Sequence, residues 1–218
     1  AQASLPYTDS FEDGAEDNSI SGWSGATSQL STTSTSGDVY SGTYAYNFDN
    51  GGAENDQGCP AGAGVCKPAG GDYTPPRIDF AVKADVTQAS FSKVRFQFVD
   101  RGSGNSAMTV RVNNDPYIAL NNNQFYNQSD NTVPYHKISL REINYQNDVV
   151  GEVYVDGNLE ATDIGFANSV SSIDGVNING NRVNAHIDEI QWYSSNTAPS
   201  FDSVSTSPSS WTLGSDVN

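Results

Sequence analysis

The chain has 218 residues, with 26 Asp and Glu against 10 Lys and Arg, for a formal net charge of −16. Repulsion of that size disfavours nucleic acid and anionic membrane surfaces as partners, and favours bound cations or the concentrated salt of a halophilic source. The length suits one large β-sandwich with a short remainder, and no apolar run reaches the roughly 20 residues of a membrane-spanning helix.

Helical periodicity is nearly absent, and short alternating runs separated by Gly, Asn, Asp, Ser and Pro predict an all-β fold. The chain begins AQA without an initiator Met, the form of a mature N-terminus after signal cleavage, although trimming would look the same. Residues 39–48 (VYSGTYAYNF) read as a strand with Tyr44, Tyr46 and Phe48 on one face. Residues 49–76 read as a long Gly/Pro/Asp loop holding Cys59 and Cys66 in CPAGAGVC. A local disulfide in an oxidising compartment is the simplest account of that pair, since a zinc site would lack its other ligands.

In residues 91–99, Val94, Phe96 and Phe98 point inward while Arg95 and Gln97 point outward. Met108, Val110 and Val112 alternate with Thr109 and Arg111 in the same way. Tyr117, Phe125 and Tyr126 are expected in loops around an Asn121–Asn123 run, and Asn127-Gln-Ser is a glycosylation sequon. Ile138 and Leu140, then Val153 and Val155, mark two more strands, and Asp156-Gly157 predicts a hairpin turn after the second. The closing strand, residues 185–193, is interrupted by Asp188-Glu189, which suits a bulge or a metal site. From residue 194 a Ser/Thr/Pro-rich stretch predicts an extended arm, and the final WTLGSDVN looks like the start of a further, truncated domain. The expected organisation is a sandwich over 1–193 and an arm over 194–218.

Three stretches together resemble the laminin G-like and carbohydrate-binding jelly rolls of the concanavalin A-like lectin/glucanase class. They are DSFEDG at 9–14 with GW at 22–23 and VYSGTYAYNF; PYHKISLREINYQNDVVGEVYVDGNLEATD at 134–163; and HIDEIQWY at 186–193. Tyr135 stands where that pattern has Trp. The resemblance implies a two-sheet antiparallel β-sandwich, a jelly roll, with Trp23 and Trp192 in the core. It also implies a structural Ca²⁺ pinning the first strand to the last through Glu12 and Asp188, with Asp9 or Asp13 as helpers. The chemistry agrees, because a hard cation takes six to eight oxygens and this chain is rich in carboxylates.

Sugars are held by aromatic faces and by polar groups that reach hydroxyls. Tyr73, Tyr117, Phe125 and Tyr126 are the aromatic candidates. Arg95, Arg111 and Arg141 sit opposite the apolar faces of their strands and would form a basic stripe if those strands were neighbours, suited to an acidic glycan. Pairing with the abundant carboxylates is the alternative. Catalysis lacks a signature. The alternating carboxylates of a retaining glucanase are missing, and adjacent Asp188 and Glu189 would face opposite ways on a regular strand. The function expected is therefore a non-catalytic, extracellular carbohydrate-binding or adhesion module. The alternative is a structural subunit of a filament, surface layer or virion, assembling with neighbouring subunits by strand addition.

Overall fold

A computed structural model describes residues 8–9, 24–25, 30–49, 65–84, 93–113, 117–127, 135–181 and 184–196, and these contain strands and turns but no helix. In chain order the strands are β1 (Thr8–Asp9), β2 (Ser24–Gly25), β3 (Leu30–Thr33), β4 (Ala45–Asp49), β5 (Val65–Tyr73), β6 (Arg77–Ala84), β7 (Lys93–Asp100), β8 (Asn105–Asn113), β9 (Tyr117–Leu120), β10 (Asn123–Asn127), β11 (His136–Asn144), β12 (Val149–Val155), β13 (Asn158–Gly165), β14 (Ile173–Asn181) and β15 (Asn184–Tyr193). They form two sheets with antiparallel pairing. One runs β13-β12-β11-β6-β15-β4-β3 with β1 also on β15, and the other runs β10-β9-β8-β7-β14-β5-β2. This is the expected jelly-roll sandwich.

The core lies between the sheets because alternate side chains on each strand are apolar. Val94, Phe96 and Phe98 of β7 and Met108, Val110 and Val112 of β8 are buried, as are Ile138, Leu140, Val153 and Val155 from the opposite layer. The two layers meet through rings: Phe80 packs on Phe96 with centroids 4.4 Å apart, and Phe98 meets Trp192 edge-on at 6.5 Å. Burial of each such side chain contributes about 1.5–3 kcal/mol.

Two turn features follow the residues closely. Asp156 and Gly157 both have positive φ, 52° and 84°, the two-residue type I′ geometry that joins β12 to β13. In β15 the register against β6 slips between Asp188 and Gln191, with Glu189 at φ 49°. The expected interruption is a bulge.

Two expectations are corrected. Residues 49–76 are not one loop, since Val65–Tyr73 forms β5 between β14 and β2. Pro68, Gly70 and Gly71 conceal the strand in the sequence, and a register shift between Ile173 and Gly175 accommodates them. The strand expected at 39–48 begins only at Ala45, and residues 40–43 are bends that carry Tyr40 and Ser41 toward β15. Trp192 is fully buried as expected. Trp23 and the arm from residue 197 lie outside the described residues.

Candidate functional site

The bulge in β15 sets the geometry of its acidic pair. Asp188 is fully buried opposite Ala81, and its Oδ2 accepts the backbone N–H groups of Tyr40 and Ser41, each at 3.0 Å. Glu189 accepts the Ser41 hydroxyl. The two carboxylates therefore converge on one loop, which corrects the expectation that they face opposite ways; the left-handed Glu189 backbone breaks the strand's alternation. Asp188 Oδ1 has no partner, and burial, reinforced by Glu189, pushes the Asp188 pKa up to about 7. β1 pairs with β15 at the bulge, placing Asp9 opposite Ile190, so the opening strand does meet the closing one. The Asp9 side chain, Glu12 and Asp13 lie outside the described residues, among which no group of three metal-ligating side chains occurs.

On the outer side of the same sheet, Tyr40, Asp79, Lys137, Glu189, Gln191 and Tyr193 line a small pocket. Its polar groups already serve one another. Buried Arg77 pairs with buried Asp79 at 2.6 Å, Ser139 Oγ donates to Asp79 at 2.5 Å, Lys137 approaches Asp79 at 3.7 Å, and the Tyr193 hydroxyl donates to Gln191 at 2.8 Å. Burial lowers the Lys137 pKa against the opposing pull of Asp79, and raises Tyr40 to about 12 with help from Glu189. Arg141 belongs to this sheet too, with its guanidinium over the Tyr154 ring at 4.2 Å, so the three-arginine stripe does not form. His136, buried at the start of β11, bonds Asp156 at 2.7 Å.

The outer face of the seven-stranded sheet differs. Its strands place polar side chains in two adjacent rows. One row is Asn177, Gln97 and Thr109 on β14, β7 and β8; the next is Asn179, Arg95 and Arg111 on the same strands, continuing to Ala119 and Gln124. Asn179 donates to Gln97 at 2.7 Å across the rows, and Arg111 bonds the Asn122 carboxamide. Asn177 is fully buried, and neither its carboxamide oxygen nor its nitrogen has a hydrogen-bond partner. An unsatisfied buried amide costs about 1–3 kcal/mol. Tyr117 lies on this face by alternation with buried Ile118. The asparagines were missed in the sequence, although VNIN within β14 carries the alternation that would have placed them.

The aromatic candidates separate. Tyr117, Phe125 and Tyr126 stand on β9 and β10, not in loops, because this stretch forms a hairpin turned by Asn121 and Asn122, both with positive φ. Phe125 packs against the core, and Tyr73 packs edge-on against Trp192 at 6.0 Å, so neither offers a free ring face. The side chains of Tyr126 and Asn127 lie outside the described residues, as does Cys59. Cys66 is buried opposite Asn177, and no described cysteine is free.

No family model matches the chain, and no curated protein matches it. Among solved structures, a Bacillus licheniformis β-glucanase superimposes with a TM-score of 0.56 at 11% identity, over 88% of this chain and 99% of that one. A sialidase superimposes with a TM-score of 0.51 at 11% identity, over 78% of this chain, which spans 17% of the sialidase's length. At these identities the likeness is one of fold alone, a jelly roll.

Proposed function

We propose that this chain is a non-catalytic carbohydrate-binding domain of a secreted or cell-surface protein, with the outer face of the seven-stranded sheet as its binding face. The observation that carries the reading is the outward row Asn179, Arg95 and Arg111 with Gln97 beside it, in which planar amide and guanidinium groups line up in register across three strands. Such groups make paired hydrogen bonds to the hydroxyls of a saccharide, while Tyr117 offers a ring for C–H surface. The described positions in those rows carry amides, hydroxyls and guanidiniums but no carboxylate pair, which supports binding over hydrolysis. Kinship of fold with enzymes named for a glucan and for sialic acid agrees with a saccharide ligand. Titration calorimetry of the full chain against an oligosaccharide panel, in dilute and molar salt, tests it. Binding that weakens at least tenfold in Gln97→Ala is expected; silence across the whole panel would overturn the reading.

Two expectations join this proposal. A Cys59–Cys66 disulfide suits the secreted setting. Ca²⁺ fits the clasp, because the orphan Asp188 Oδ1 is a buried oxygen on the strand that pairs with β1, and a bound cation would be the partner it lacks.

A second reading, an assembly subunit, draws on β13. This strand ends its sheet, and its Leu159 is 51% exposed, the one large hydrophobic so exposed among the described residues. Strand addition by a neighbouring subunit would cover it. Sedimentation showing only monomers at high concentration, with and without Ca²⁺, would remove this reading.

A further inference from the structure

We infer that the outer edge of β13 is a docking site for an extended, basic segment of a partner protein, which adds to the eight-stranded sheet as a further strand. The inference rests on the second reading above, strand addition at β13, and names the chemistry of what is added.

Among the described strands β13 pairs with β12 alone, so its other side presents backbone N–H and C=O groups to a strand laid beside it. The far end is already taken. The Asn121 carboxamide donates to the Gly165 carbonyl at 2.8 Å, and the left-handed Asp163, at φ 56°, breaks the regular edge before it. The open stretch is therefore Asn158–Thr162. Within it the exposed Leu159 is the register partner of Tyr154, so the two side chains adjoin at the rim of the sheet.

Charge selects the occupant. Glu160 and Asp163 lie on β13, Glu152 on β12 and Glu142 on β11, and none of the four forms an ion pair among the described residues. Arg141, the basic residue beside them, is engaged by the Tyr154 ring and by Ser139. A second copy of this chain fits poorly. Antiparallel pairing of two β13 strands with Leu159 opposite Ile164 sets Glu160 against Asp163, and like charges directly opposite destabilise a sheet. Nor can a copy lend a basic strand. Nine of its ten Lys and Arg lie between Lys67 and Arg141, on β5, β6, β7, β8 and β11, which already have a neighbour on each side, or in the turn after β7. The carboxylates that turn away this acidic chain attract a strand that alternates Lys or Arg with apolar residues, the apolar ones meeting Leu159.

The test titrates the full chain with two short peptides of equal length, one alternating Lys with Val and one alternating Glu with Val, followed by fluorescence anisotropy. The Lys–Val peptide is expected to bind at least tenfold more tightly and to slow amide exchange in residues 158–162. Leu159→Ser and Glu160→Lys should each weaken it at least fivefold, with unchanged thermal melting as the check on folding. A Lys–Val peptide N-methylated at alternate residues keeps its charge but loses its ladder donors, and should bind at least tenfold more weakly to the unaltered chain. Equal binding of the Lys–Val and Glu–Val peptides would overturn the basic partner. Lys–Val binding untouched by N-methylation or by Leu159→Ser would be charge attraction alone and would overturn docking at this edge. If neither peptide binds, sedimentation separates the two readings. Self-association that Leu159→Ser abolishes would overturn the basic partner and leave strand addition standing, and a monomer throughout would overturn both.

Discussion

Asp188 on the closing strand accepts the backbone N–H of Ser41 at 3.0 Å, joining residues 147 positions apart in the chain. Glu189 takes the hydroxyl of the same serine, so both carboxylates of the bulge hold one loop across the outer side of the eight-stranded sheet. That loop brings Tyr40 over the pocket and against Tyr135, with ring centroids 5.5 Å apart. A one-residue irregularity in β15 thereby decides what lies above the sheet.

The buried Asp188 makes stability depend on pH in a direction unusual for an aspartate. Its folded pKa is pushed up to about 7, above the value near 3.9 of an unfolded chain, so between those values the folded state binds more protons. Stability is then expected to fall as pH rises from about 4 to 7, on the order of a few kcal/mol. Asp188→Asn keeps an acceptor for Tyr40 and Ser41 but cannot ionise, and its profile over this window should be flatter than the parent's. Urea unfolding from pH 4 to 8 checks this; parallel profiles would show that Asp188 does not dominate.

Calcium should act on the same oxygen with opposite sign. A cation at Oδ1 favours the charged carboxylate, so saturating Ca²⁺ is expected to raise the melting temperature at pH 8 and to flatten the pH profile. At one hundred times its dissociation constant the ion would add about 2.7 kcal/mol. Asp188→Asn should lose most of that response. Melting curves that coincide in Ca²⁺ and in chelator would dismiss the metal.

The Arg77–Asp79 pair is a second buried electrostatic element, and it sits on the central strand β6. Asp79→Ala removes the carboxylate that Arg77 pairs with and the acceptor of Ser139, at an expected cost of about 3–5 kcal/mol. Replacing both partners, as Arg77→Met with Asp79→Leu, should recover most of the loss, because two well-packed apolar side chains need no countercharge. Denaturant unfolding of the single and double variants measures the difference. A double variant no better than Asp79→Ala would mean that the pair positions the pocket network and not only itself.

The strands that could be read from the sequence are those whose outward side chains are polar while their inward ones are apolar. β7, β8, β11 and β12 alternate cleanly, and Asp156-Gly157 announced its turn. β6 went unread because it lies between β11 and β15, and its outward residues Arg77, Asp79 and Ala81 are buried as deeply as its inward ones, which erases the period of two. β5 was hidden by Pro68 and its glycines. For the site, the outward setting of Arg95 and Arg111 was legible strand by strand. Their register, and the exclusion of Arg141 to the other sheet, depend on strand order, which local pattern does not encode.

Two glycines separate backbone strain from steric contact. Gly157 has φ 84° with nothing near a would-be Cβ, so Gly157→Ala is opposed only by the left-handed backbone, at about 1–2 kcal/mol. Asparagine visits that region more readily, and Gly157→Asn should cost less than Gly157→Ala. Gly175 is the reverse. A Cβ there would lie 2.8 Å from Arg101 Cδ and 3.1 Å from the Lys67 carbonyl oxygen, where β14 shifts register against β5. Gly175→Ala is therefore expected to cost about 1–3 kcal/mol by overpacking, and the larger Gly175→Asn should cost more. The order of the Ala and Asn variants is opposite at the two positions, and thermal melting of all four checks it. A common order at both would mean that the β14–β5 junction yields to an added side chain, and that β5 is held less firmly than its pairing implies.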